Sequence, residues 1–282
     1  MKKILITGES SYVGTSLERW LGKFPDIYYI DKISLRNDLW KGKDFSEYEV
    51  VFHVAGIAHV KETEENGDLY YKVNRDLAFE VAQKAKREGV KQFIFLSSMS
   101  VYGVENGVIG KNTPLKPKSN YGKSKLQAEE LIRTLEGKSF KVAILRPPMI
   151  YGNNCKGNYA RLARLALKIP VFPDIKNKRS MIYIDNLCEF VRLLIDDSRS
   201  DLFFPQDKEY VCTSEMVKRI AEIHGKKINM TKLFNPLLNL VKTRTLNKVF
   251  GDLVYEKSLI EKQMDFQVYD FNNSIRMTEG RY

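Results

Sequence analysis

A short apolar run, Lys3-Ile4-Leu5-Ile6-Thr7, passes directly into Gly8-Glu9-Ser10-Ser11-Tyr12-Val13-Gly14 and then into a pattern with Val13, Leu17, Trp20 and Leu21 on one helical face. A buried strand, a glycine turn and an amphipathic helix in immediate succession form the opening half of a βαβ unit. The first glycine frees the backbone to bend, and the second lets the helix pack closely on the strand. The helix N-terminus then offers N–H groups and a partial positive charge to a pyrophosphate. Gly8, Ser10, Ser11, Tyr12, Val13 and Gly14 are therefore candidate cofactor-binding residues. Ser11 stands where such turns carry a further glycine, which predicts a cradle with less backbone freedom.

The alternation continues for half the chain. Strands are expected at Ile27–Asp31, Val50–Val54, Gln92–Ser97 and Lys141–Leu145, with helices at Tyr12–Lys23, Tyr70–Glu88 and from Tyr121 to about Leu135. That order requires a doubly wound parallel α/β sheet, the Rossmann arrangement. From Tyr151 the pattern loosens into helical stretches and proline turns. The expected organisation is a dinucleotide-binding domain over 1–152 and a smaller substrate-binding lobe over 153–282 that lends some elements to the main sheet. Asp31 ends the second strand, where a carboxylate accepts hydrogen bonds from the ribose 2′-hydroxyl of NAD and repels the 2′-phosphate of NADP. Lys32 and Arg36 follow closely and keep NADP as the alternative.

Composition narrows the remaining classes. Lys plus Arg number 46 against 35 Asp plus Glu, but the charges are interspersed with opposite ones, as in Lys84-Ala85-Lys86-Arg87-Glu88. This reads as a solvated surface biased toward anionic small substrates rather than a nucleic-acid interface. Cys155, Cys188 and Cys212 show no CxxC spacing, and His53, His59 and His224 make no cluster, so no metal site is expected. His53 lies inside an apolar strand and reads as a core residue. No apolar run approaches the length of a membrane span, which points to a cytoplasmic protein without membrane insertion.

Tyr121 and Lys125 are four residues apart and share one helical face. A free tyrosine titrates near ~10, and a neighbouring ammonium favours the phenolate, making Tyr121 a usable acid/base. Upstream, Ser97-Ser98-Met99-Ser100-Val101-Tyr102-Gly103 follows a buried strand and brings a hydroxyl toward the same end of the sheet.

With these elements in order, the chain resembles the extended short-chain dehydrogenases, the NAD-dependent epimerase/dehydratase family. The resemblance rests on TGxxxxxG, Val51-Phe52-His53-Val54-Ala55-Gly56, Asn74, the Ser98 run with Val101-Tyr102-Gly103, YxxxK, Leu145-Arg146-Pro147-Pro148-Met149-Ile150-Tyr151-Gly152 and Arg179 with Asp185. It implies Tyr121, Lys125 and Ser98 as catalytic residues. Lys125 would also hold the nicotinamide ribose, while Ala55, Gly56 and Asn74 would lie near the cofactor. Ser98, Met149, Asn158 and Arg179 would contact substrate, Arg179 at a nucleotide diphosphate. It further implies a UDP-sugar as substrate and a homodimer built on the two long helices.

Dehydratases of the family carry Asp-Glu after the hydroxyl residue; Met99 and Ser100 stand there and cannot shuttle a proton as a carboxyl does. A UDP-sugar 4-epimerase is the leading expectation. Met149, in place of the substrate-binding asparagine of galactose epimerases, keeps open a 4-ketoreductase of UDP-4-keto-6-deoxy-N-acetylhexosamines. A non-catalytic NAD(P)-binding regulator is the third reading.

Overall fold

The computed structural model describes residues 1–58, 60, 62–63, 65–233, 235–236, 244–259 and 264–280; His59 lies outside them. The chain forms two compact units: unit one comprises 1–103, 114–147 and 187–205, and unit two comprises 104–113, 148–186 and 206–282. Elements are numbered along the whole chain.

Unit one is built on six parallel strands: β1 (Lys2–Thr7), β2 (Tyr28–Ile33), β3 (Val50–His53), β4 (Gln92–Leu96), β6 (Lys141–Leu145) and β10 (Asp201–Phe203). Their order in the sheet is β10-β6-β4-β3-β1-β2. The winding direction reverses between β1 and β3, where an open α/β sheet binds its ligand at the carboxyl ends of the strands. The first helix, α1 (Tyr12–Leu21), buries Val13, Leu17, Trp20 and Leu21, the face expected from its spacing. Between β2 and β3 the chain has no full crossover helix. A 3-10 turn, Asp38–Gly42, buries Trp40, and Phe45 and Tyr48 join the same core as Leu5, Val51 and Phe93. Three aromatic side chains thus take the place of the apolar stripe of a helix in this connection.

The helix expected at Tyr70–Glu88 is interrupted. α2 (Gly67–Tyr71) and α3 (Leu77–Arg87) flank a π-helical turn, Lys72–Asp76, that buries Asn74. α4 (Asn120–Arg133) follows with Ser119 as its N-cap, accepting from the Gly122 N–H. The later half of α6 (Ile184–Asp196) and the strand β10 complete unit one.

Among the described residues, unit two contains three two-stranded parallel sheets: β5 (Gly107–Ile109) with β12 (Leu253–Tyr255), β7 (Met149–Tyr151) with β9 (Met181–Tyr183), and β8 (Val171–Pro173) with β11 (Asn229–Thr231). Its helices include α5 (Asn158–Ala166), α7 (Thr213–Ile223), α8 (Arg244–Phe250) and α9 (Phe271–Thr278). Tyr151 OH pairs with Ser274 at 2.7 Å, tying α9 to β7. Most of the chain's excess of Lys and Arg over Asp and Glu lies in this unit.

Candidate active site

The carboxyl ends of β1 and β3 converge on Gly8. Its φ is +104°, a conformation open to glycine and strained for other residues, and a Cβ there would sit 2.9 Å from the Ala55 backbone nitrogen. Gly14 is equally confined, since a Cβ would meet Ile6 Cγ2 at 2.9 Å. Ser11, by contrast, needs no glycine. It is the N-cap of α1, with extended backbone (φ −71°, ψ 141°), and its hydroxyl accepts the Gly14 N–H at 2.9 Å. The loss of freedom expected at Ser11 is therefore not felt; serine stabilises the helix start that the cradle depends on. A close-approach loop, two hemmed-in glycines and a capped helix N-terminus fit a dinucleotide pyrophosphate.

Asp31 stands on β2 opposite Leu5. It accepts a hydrogen bond from Tyr48 OH and lies 3.5 Å from Lys43 Nζ. The Tyr48 hydroxyl, then the Lys43 ammonium, hold its carboxyl below the usual range. Asp31 is thus ionised and already partnered on one oxygen. Tyr48 and Lys43 carried no signal in the sequence.

Asn74 makes three hydrogen bonds within the protein. Its Oδ1 accepts the Ile57 N–H at 2.8 Å, and its Nδ2 donates to the Ile57 carbonyl and to Ser124 Oγ, both at 3.1 Å. It is wholly buried. The π turn aims this amide at the loop after β3 and at α4 together. A Cβ on Gly56 would lie 2.9 Å from Asn74 Oδ1 and 3.4 Å from Lys125 Nζ, so that loop, the amide and the ammonium meet at one point.

Ser98 caps a 3-10 turn, Met99–Tyr102, through the Ser100 N–H at 3.1 Å. The start of α4 packs tightly on that turn, for a Cβ on Gly122 would be 2.7 Å from the Ser100 carbonyl oxygen. This glycine lets Tyr121 approach Ser98. Burial raises the Tyr121 pKa and the Ser98 hydroxyl opposes that rise. The expectation that Lys125 would depress it is thus corrected: in the protein alone desolvation prevails, and the lowering partner is Ser98.

Lys125 is 4 % exposed. Its Nζ donates to the Leu96 carbonyl at 2.8 Å and lies 4.6 Å above the Phe95 ring. Burial brings its pKa down to about 8, with Glu129 pulling the other way. Glu129, one helical turn further, is fully buried and forms a bidentate pair with Arg146, whose Nη1 donates to Tyr102 OH at 2.9 Å. Ser97 Oγ also donates to Glu129. This network pins the ends of β4 and β6 to α4 directly behind Ser98 and Lys125. In the sequence Arg146 is marked only as part of a motif, and Glu129 carries no signal. His53 lies beneath, with Nδ1 2.8 Å from Thr7 Oγ1 and its ring stacked on Phe93 and Phe95. Burial lowers its pKa to about 3, so it is a neutral core residue.

In unit two, a cavity of about 280 Å³ brings together Met149, Asn158 and Arg179, and adds Arg161 and Lys248. Leu162, Met181 and Met216 form part of its apolar wall, and none of its lining residues is acidic. Among the described residues the Arg179 guanidinium makes one hydrogen bond, to the Gly251 carbonyl at 3.2 Å; burial lowers its pKa, with Asp252 opposing. A partly desolvated guanidinium beside two further cations, without a carboxylate in the wall, is suited to an anion.

The model of the NAD dependent epimerase/dehydratase family matches residues 4–203. The chain belongs to that family. Among curated relatives, it is 32% identical over 292 residues to a UDP-glucose 4-epimerase of Vibrio cholerae, covering 93% of this chain and 85% of the relative. It is 29% identical, over 83% of this chain and 76% of the other, to an N-acetyl-alpha-D-glucosaminyl-diphospho-ditrans,octacis-undecaprenol 4-epimerase of Escherichia coli O157:H7. The fold matches that of a UDP-glucuronic acid 4-epimerase from Bacillus cereus in complex with NAD, with a TM-score of 0.77 at 19% identity, over 99% of this chain and 97% of the other. The family match spans the phosphate turn, the Ser98 turn and the YxxxK helix, and therefore every element of unit one described above.

Proposed function

We propose that this chain inverts C4 of a sugar carried on a diphosphate, as a UDP-sugar 4-epimerase, with NAD as its resident cofactor. The observation that carries the reading is that Ser98, Tyr121 and the buried Lys125 gather at the carboxyl end of the sheet that also forms the phosphate cradle. Gly8, Ser11, Gly14 and Gly56 would hold the cofactor, Asp31 its adenosine ribose and Lys125 its nicotinamide ribose. When bound, NAD supplies reversible hydride acceptance.

The residues of the chain do the rest. Tyr121 takes the proton of the 4-hydroxyl as the carbonyl develops and returns it when the alcohol re-forms. Ser98 donates to the same oxygen and keeps the phenol oriented. Asn74 acts at one remove: its three protein bonds hold the loop after β3 against α4, which makes it a positioning residue. Arg179, with Arg161 and Lys248, would neutralise the diphosphate. Both relatives named above carry 4-epimerase names, one for a nucleotide-linked and one for a polyprenol-linked sugar, and the diphosphate is the feature those substrates share.

A second reading, a 4-ketoreductase with NADPH or NADH, is favoured by one observation: Met149, which cannot hydrogen-bond a sugar hydroxyl as asparagine does, lines the cavity of unit two. A homodimer, a cytoplasmic location and a role in polysaccharide synthesis belong to the same proposal and rest on family resemblance.

The test is to denature purified, undialysed protein and identify the released nucleotide, then to assay the native protein without added cofactor. Near-stoichiometric NAD, with epimer formed from a UDP-hexose, is expected. Protein that emerges empty, yet oxidises NADH or NADPH with a UDP-4-keto-sugar, would establish the reductase instead.

A further inference from the structure

One surface of unit two is not used by the proposed chemistry. Three chain segments lie side by side there. Lys226 Nζ donates to the Leu167 carbonyl just beyond α5, Val171 of β8 pairs with Asn229 of β11, and the Asp174 N–H donates to the Thr231 carbonyl at 2.8 Å. On these segments Leu165 is 40% exposed, Val171 40% and Leu233 85%. The same segments carry Lys168, Lys227 and Lys232, exposed and without an ion pair among the described residues. The nearby carboxylate of Glu222 is already matched by Lys218 and Arg219. Among the described residues of these segments the aromatic side chain, Phe172, is buried, so they expose no stacking platform of the kind that single-stranded nucleic acid uses.

Exposed aliphatic side chains set among unpaired lysines are the chemistry of an interfacial contact. The cations are drawn to anionic headgroups, and the aliphatic groups enter the boundary with the acyl chains. Among the described residues no helix is long and apolar enough to cross a membrane, so such contact would be peripheral. We propose that this face docks unit two onto an anionic lipid bilayer. Leu165 belongs both to the face and to the wall of the 280 Å³ cavity, which places the cavity rim beside the membrane surface. The inference is independent of the reaction assigned above and stands whether the sugar is carried on a nucleotide or on a polyprenol.

Co-sedimentation of the full chain with vesicles tests it. Binding to phosphatidylglycerol/phosphatidylethanolamine vesicles is expected to exceed binding to phosphatidylcholine vesicles by about tenfold or more and to weaken as salt is added. The triple variant Lys168→Glu/Lys227→Glu/Lys232→Glu should lower the partition coefficient about a hundredfold, at roughly fivefold or slightly less per lysine. Leu233→Asp should lower it by about tenfold. A control with the same change in net charge on unit one, Lys86→Glu/Lys138→Glu/Lys141→Glu, should bind nearly as well as the parent. Should the glutamate triple lose its cooperative thermal transition, the glutamine triple takes its place, with an expected loss of at least about tenfold. The proposal is overturned by equal affinity for both vesicle types, by equal losses in face and control variants, or by binding to duplex DNA in preference to anionic vesicles.

Discussion

Arg146 in unit one and Arg179 in unit two are both largely withdrawn from water, yet they are treated in opposite ways. Arg146 is 4 % exposed, gripped by both oxygens of Glu129 and bonded to Tyr102. Its charge is consumed inside the protein. Arg179 touches one backbone carbonyl and shares a cavity with Arg161 and Lys248 but with no carboxylate. Its charge is kept for something else. A buried cation that is fully paired fixes geometry, whereas one left short of partners is prepared for an anionic ligand. The same contrast runs through the two sites: unit one spends Asn74, Ser124 and Glu129 on holding Ser98, Tyr121 and Lys125, while the cavity of unit two keeps Arg161, Arg179 and Lys248 without a carboxylate in its wall.

The contrast can be broken at several points. The largest effect is expected at Tyr121. Tyr121→Phe should lower kcat by about 10³-fold, within the range for loss of a positioned acid/base, and leave bound nucleotide unchanged; single-turnover assays and nucleotide release read the two separately. Arg146→Met should cost about 3–5 kcal/mol in urea unfolding, because it leaves Glu129 charged and unpaired. The double variant Glu129→Met/Arg146→Met should recover most of that loss, as expected of a structural strut.

Arg179→Met should behave differently, raising KM for a UDP-sugar about ten- to a hundredfold with kcat within a few-fold and little change in unfolding. A large loss of stability there would erase the distinction between the two arginines. The effect that pH can tune concerns Lys125, whose pKa burial brings to about 8. In the unfolded chain lysine titrates near ~10.4, so between these values the unfolded state holds the extra proton and stability rises with pH. Lys125→Met should therefore be inactive yet more stable than the parent below pH 8. Its advantage should shrink between about pH 8 and 10.4, as read by thermal melts across pH.

Much of unit one was legible because its signals are local. Strand-length apolar runs, helical spacing and the Gly8–Gly14 turn are each contained within a few residues, and Tyr121 and Lys125 declare themselves at four-residue spacing. What stayed hidden depends on contacts distant in sequence. Tyr48 reaches Asp31 across 17 residues, Glu129 reaches Arg146 across 17, and Asn74 reaches Ser124 across 50. Helical periodicity also carries no mark of a π turn, so in the sequence the device that aims Asn74 is indistinguishable from uninterrupted helix. Arg161 and Lys248 were unmarked for a similar reason: a lysine or arginine in a charge-rich chain signals an anion only once the cavity around it is known.

The central claim is that the chain would keep one nicotinamide cofactor through a full turnover at C4, with Tyr121 moving the proton. The most direct test is to give the enzyme UDP-glucose or UDP-N-acetylglucosamine deuterated at C4, in the presence of excess unlabelled NADH, and to examine the product by mass spectrometry and NMR. The account predicts the C4 epimer with deuterium retained at C4. An epimer that has lost the label to solvent or to added NADH, or no epimer at all, would contradict it.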